Sequence, residues 1–153
     1  MMLKEILKEQ AVTIRLAART KDDVINELVA LLADVYKLEK KDIIAESIRK
    51  REKLGSTGMG QGIAIPHCKC EHIDRTYLAI GISKDGVDFK ALDGEPVHIF
   101  FILVAPSVAA GPHLKALARI SRLLRDEYFC RSLVNAPDAK MVYKIVITDD
   151  EKN

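Results

Sequence analysis

An excess of charge of either sign is what this sequence most plainly lacks. Its 24 basic side chains nearly cancel 22 acidic ones, leaving +2 over 153 residues. Such a balance offers no general attraction to nucleic acid or to anionic lipid, so any recognition of an anion has to be local. Long hydrophobic runs are also missing. The longest wholly apolar stretch, residues 99–105, falls far short of the ~20 residues a spanning helix needs, and direct membrane insertion is not expected. Residues 1–9 mix Lys and Glu with leucine and contain no uncharged core of a signal peptide. Cysteine is scarce and odd in number (Cys68, Cys70 and Cys130), which argues for reduced thiols rather than a disulfide framework. The expectation is a cytoplasmic protein.

What remains is ordinary globular composition, 48% hydrophobic and 30% charged, in a chain long enough to bury a sizeable core. No repeat or linker divides it, so one domain over residues 1–153 is expected. Residues 2–9 suit a short amphipathic helix and residues 12–16 a short strand. Thr20 followed by Asp23 marks a helix start. Behind it Val24, Leu28, Leu31, Leu32 and Val35 recur at helical spacing, which predicts a helix over 21–36. A second is predicted over 41–53, with Gly55 as its stop. Strands are expected at 63–65, at 76–83 before an Asp85-Gly86 turn, and at 97–105, the last apolar on both faces as a central strand should be. Pro112 is expected to open a helix, followed by helices around 126–134 and 137–147. Residues 141–147 also fit a strand, but Pro137-Asp138 favours the helix. Residues 149–153 read as a frayed tail. The sum is an α/β protein, a three-layer α/β/α sandwich with a small mixed β-sheet.

The segment carrying chemistry runs from Arg51 to Cys68. Four of the eight glycines fall within residues 55–62, and such a loop can turn successive backbone N–H groups toward an anion as a nest. Ser56 and Thr57 add hydroxyl donors, Gly58, Gly60 and Gly62 the open backbone, and Arg51 a fixed charge suited to forked phosphate contacts. His67 follows the rigid Pro66. Established phosphate motifs fail on spacing. Gly55 and Gly60 fit a P-loop, but Gln61-Gly62 stand where Lys and Ser or Thr are required. Leu54 breaks the hydrolase elbow, and the third glycine of a dinucleotide loop is misplaced. What is left is an anion nest facing a histidine.

Residues 52–68 resemble, position for position, the phosphorylation-site signature of the fructose/mannitol-type enzyme IIA proteins of the bacterial phosphoenolpyruvate-dependent phosphotransferase system. The likeness is strongest to the nitrogen-regulatory and fructose-specific branches, whose loops also read Gly-Ser-Thr-Gly and Gly-Ile-Ala-Ile-Pro-His. It extends through Phe89 to Asp93, the apolar run to Pro106, and His113-Leu114. The resemblance implies that His67 accepts a phosphoryl group on Nε2 from a histidine phosphocarrier protein. It implies further that His113 lies beside that group without carrying it, that Arg51 is near, and that residues 56–62 form the wall. Cys68 departs from the usual glycine. The implied acceptor is a IIB component or, in a nitrogen-type protein, a regulatory target whose docking follows the state of His67. No cofactor or metal is implied.

Imidazole suits this chemistry, since with a pKa of ~6.5 it is largely unprotonated and nucleophilic at neutral pH. His113, next to Pro112 at a helix start, faces a positive dipole end and is expected to stay neutral and donate to phosphate. A modestly apolar docking surface is expected from Met59, Ile63 and Leu114. A remote alternative is metal binding through His67, Cys68, Cys70 and His72. Alternate side chains of a strand, however, stand ~6.8 Å apart, and sulfurs sharing one zinc lie at most ~4.6 Å apart. His72 and His98 read as structural.

Overall fold

The computed structural model describes residues 1–108 and 110–152. Instead of one helix, residues 2–9 form parts of two single 3₁₀ turns, Leu3–Glu5 and Glu9–Ala11. Strand β1, Val12–Thr13, is shorter than expected. Helix α1, Lys21–Tyr36, starts as its sequence predicts, with the Thr20 hydroxyl accepting from the Asp23 amide at 3.3 Å. Helix α2, Lys41–Lys53, follows. Three short strands come next: β2, Gly58–Gly60; β3, Ile63–Ala64; and β4, His67–Cys70. The two long strands are β5, Tyr77–Val87, and β6, Val97–Pro106. Three helices close the chain: α3, Ala110–Leu124; α4, Glu127–Asn135; and α5, Ala139–Lys152.

The sheet runs β1-β5-β6-β3-β2, with β4 also on β6. The β5–β6 pair is antiparallel, whereas β1 joins β5, and β3 and β4 join β6, in parallel. Helices α1 and α2 pack together over β5 and β4, and α3, α4 and α5 over the other layer, giving the expected sandwich. Strand β6 is central, and every residue from Ile99 to Ala105 is buried.

One feature of the sheet positions the site. Ile63 pairs with Ile99, Ala64 with Phe100, and His67 with Leu103, so β3 and β4 hold one register across the break at Ile65 and Pro66. Pro66 lacks an N–H, but its carbonyl still accepts from Leu103 N–H at 3.0 Å. His67 is thereby fixed against the most buried strand of the protein.

Two expectations need correction here. Asp85-Gly86 does not end β5. Gly86, at φ 90°, lies within an irregular stretch between Ile82 and Val87, and the strand runs on. The tail does not fray within the described residues either, Asn153 lying outside them. Helix α5 reaches Lys152, and Asp150 is buried. Its carboxylate accepts from Leu3 N–H at 2.7 Å and from Arg119 Nε–H at 2.8 Å. An acid in a last helical turn opposes the helix dipole, and the Arg119 cation offsets that cost. Asp150→Ala strands a buried amide and a partly buried guanidinium together. It is expected to lower stability by about 2–3 kcal/mol, read as a shifted midpoint in urea unfolding.

Candidate active site

His67 opens β4 and is half-buried. Its Nδ1 lies 2.7 Å from the carbonyl oxygen of Ile65. A carbonyl can only accept, so the neutral ring carries its proton on Nδ1 and leaves the lone pair of Nε2 free. Burial lowers the pKa of His67. The Ile65 hydrogen bond opposes that shift, and Arg51 reinforces it while Glu52 opposes it. The ring is neutral near pH 7, with its nucleophilic nitrogen already bare.

His113 sits in the first turn of α3, which begins at Ala110, two residues before Pro112. Its ring centroid lies 5.5 Å from that of His67. It is only 5% exposed. Burial first, then the neighbouring His67 and Lys69, push its pKa down to about 4. Among the described residues its buried Nδ1 has no hydrogen-bond partner. An orphaned acceptor is tolerated better than an orphaned donor, which places the proton on Nε2. His113 is thus a neutral ring with a donor nitrogen, beside a neutral ring with a free lone pair.

The C-terminal turn of α2 supplies the charges. Arg51 donates from Nη1 to the Gly55 carbonyl at 2.9 Å, closing its own helix end while acting electrostatically on His67. Glu52 was not singled out by the sequence. It is buried, pairs with Lys21 Nζ at 2.8 Å, accepts from the Thr57 amide at 3.1 Å, and also accepts from the Thr57 hydroxyl. The Thr57 carbonyl accepts from Ile65 N–H at 3.1 Å. A continuous series of contacts therefore joins Lys21, Glu52, Thr57 and Ile65 to the His67 ring. The available signal was an acid in a last helical turn, where Lys50, Arg51 and Lys53 are the residues the dipole favours.

The glycine-rich segment does not form the nest expected of it. Residues 58–64 fold as an antiparallel hairpin whose tip, Gln61-Gly62, has φ of 58° and 80°, the left-handed pair a tight hairpin turn demands. The amides of Thr57, Gly58 and Gln61 are spent on Glu52, the Ser56 hydroxyl and Asp93. Ser56, Thr57 and Gly58 stay near Ile65, where Gly58 lets the chain approach Ala91: a Cβ there would lie 2.8 Å from the Ala91 Cβ. Gly62 joins β6 at Ile99. That is four residues, about 13 Å of strand, from the level of His67, and Gly60 and Gly62 are not brought to it.

Met59 and Leu114 are exposed, at 52% and 65%, as a docking surface requires, but Ile63 is 5% exposed and belongs to the core. Along β4 the side chains alternate. His67 and exposed Lys69 share one side, and Cys68 and Cys70 are buried on the other, so this set does not converge on a metal. Among the described residues no helix is long and apolar enough to cross a membrane.

The fold thus brings together two neutral histidines, the charge of an arginine and a clamped strand. Residues 5–148 match the family described as phosphoenolpyruvate-dependent sugar phosphotransferase system, EIIA 2. The chain belongs to that family. A nitrogen regulatory protein of Bradyrhizobium diazoefficiens is 34% identical, over 95% of this chain and 95% of its own. The fructose-specific EIIABC component of Bacillus subtilis is 36% identical over 99% of this chain, which spans only 24% of that protein's length. The crystal structure of nitrogen regulatory protein IIA-Ntr from Neisseria meningitidis superposes with a TM-score of 0.87 at 32% identity, covering 94% of this chain and 98% of that one. EIIA components are phosphotransfer proteins, and this chain shares their fold.

Ring-proton titration by NMR is expected to place the midpoint of His113 near pH 4 and that of His67 below 6.5. The unfolded chain takes up these protons near pH 6.5 and the folded chain lower. The stabilisation is therefore complete above pH 6.5 and is lost as pH falls through the window toward about 4. His113→Asn makes that slope shallower.

Proposed function

We propose that this EIIA protein carries a phosphoryl group on Nε2 of His67, taking it from a histidine phosphocarrier protein and passing it to a IIB component. The observation that carries the proposal is the Nδ1–H to Ile65 carbonyl bond of 2.7 Å, which leaves Nε2 as the nitrogen of the His67 ring with a free lone pair.

In the transfer, the Nε2 lone pair forms a new N–P bond as the donor's N–P bond breaks, and the donor ring keeps that electron pair. No proton has to leave His67, because Nε2 was unprotonated and the proton on Nδ1 stays there, donated to the Ile65 carbonyl. The arriving group brings close to two negative charges near neutrality. In this reading the Arg51 guanidinium, the Nε2–H of His113 and the Lys69 ammonium share them, supported by the influence of Arg51 on His67 and of Lys69 on His113. The protein's contribution is positioning and charge stabilisation, which phosphoryl transfer mainly requires. Passing the group on reverses each step.

A second reading adds regulation, with the state of His67 governing docking to a target. It is favoured by nitrogen regulatory relatives that match from end to end, whereas the fructose relative is matched over 24% of its length. Both readings use the same chemistry.

Incubation with phosphoenolpyruvate, the general phosphotransferase enzyme and a histidine phosphocarrier protein, followed by mass spectrometry, is expected to show one acid-labile phosphoryl group. His67→Ala abolishes it, and His113→Ala slows its arrival by about a hundredfold, as for loss of one preorganised donor. Label that persists in His67→Ala, or that resists acid, contradicts the assignment.

A further inference from the structure

A second cavity, of about 520 Å³, opens beneath α4, within the size range of small-molecule sites. Its floor is apolar, made by Ile63, Ile99, Leu124 and Val134. It lies at the head of β6, about 13 Å of strand from the level of His67, and shares none of the residues assigned above to the phosphoryl group except Gly62, which the fold removes from that site.

Three features give this cavity a chemistry. The first is His98 on its wall, whose Nδ1–H donates to the Ser83 carbonyl at 2.8 Å. The neutral ring therefore keeps a lone pair on Nε2, and that atom has no protein partner among the described residues. The second is the charge of the mouth. Lys84 and Arg131 line it with Glu127 as the one opposing acid, and none of the three makes an ion pair among the described residues. The Arg131 guanidinium instead lies 5.0 Å over the Tyr128 ring. The third is the half-buried Cys130, whose thiol donates to the Leu124 carbonyl at 3.3 Å and gives the cavity wall a group that can be labelled.

We propose that this cavity binds a small amphipathic organic anion. Its apolar body lies on Ile63, Ile99 and Val134, an N–H or O–H of the ligand donates to His98 Nε2, and its anionic group meets Lys84 and Arg131. The site is separate from the phosphoryl site and does not depend on the phosphocarrier reading.

The probe is 8-anilinonaphthalene-1-sulfonate, which combines an apolar body, one N–H and one fixed anion, titrated by fluorescence into the whole protein. One saturable site is expected. N-phenyl-1-naphthylamine, the same body without the sulfonate, should bind at least tenfold more weakly, and Lys84→Glu with Arg131→Glu should weaken the sulfonate at least tenfold. In the unsubstituted protein, saturating probe should slow iodoacetamide alkylation of Cys130, located by peptide mass, at least fivefold. That readout needs no variant to fold. Equal affinity for the neutral analogue, unprotected Cys130, or no saturable binding would overturn the proposal. So would binding that weakens as protein concentration rises, because a second copy would then be filling the cavity.

Discussion

A carbonyl oxygen 2.7 Å from Nδ1 of His67 decides which of the two ring nitrogens is available, and much of the surrounding structure serves to hold that oxygen still. Ile65 cannot drift, because its own N–H is tied to the Thr57 carbonyl and Thr57 is tied twice to the buried Glu52. Glu52 is in turn neutralised by Lys21, whose ammonium also lies 4.8 Å from the centre of the buried Phe89 ring. On the other side Pro66 keeps β3 and β4 in one register against β6. The imidazole is thus oriented by backbone, and backbone is oriented by an ion pair whose acid is buried. Such a pair has a high desolvation cost, and here it fixes a geometry on which the chemistry depends.

The electrostatic design follows from the same geometry. A site proposed to receive a dianion gains nothing from histidines that are already charged and fully solvated. Burial keeps both rings neutral, so positive charge before transfer comes from Arg51 and Lys69, outside the rings. In the proposed transfer, the hydrogen bond from Nδ1–H of His67 to the Ile65 carbonyl strengthens as the ring becomes more cationic. His113 has one nitrogen turned inward without a partner and the other left to donate. The unmet atom is an acceptor, the less costly kind to bury unpaired.

Much of this was legible in the sequence, and the reasons differ by element. Helices α1 and α2 announced themselves through apolar residues at helical spacing and, for α1, through the Thr20 cap. The central strand was visible as an unbroken apolar run. His67 and His113 were legible through their motif context, and the fold brings their rings to 5.5 Å. The glycine-rich segment misled for a physical reason. Positive φ serves an anion nest and a tight hairpin equally well, and only the partners of the amides tell them apart. Glu52 and Asp150 were hidden because a charged residue near a helix end reads as solvated surface. Their burial depends on Lys21 and Arg119, cations supplied by other helices and invisible to local pattern. Ile63 looked like a candidate for the docking surface until its pairing with Ile99 placed it in the core.

The central claim is that a backbone hydrogen bond, not a side chain, selects the reacting nitrogen. Long-range proton–nitrogen correlation on phosphorylated, nitrogen-15-labelled protein tests it directly, because the two ring isomers of phosphohistidine differ in which nitrogen couples to phosphorus. The account predicts phosphorus on Nε2, with the Nδ1 proton slowly exchanging and still bonded to Ile65. Phosphorus on Nδ1 would contradict it.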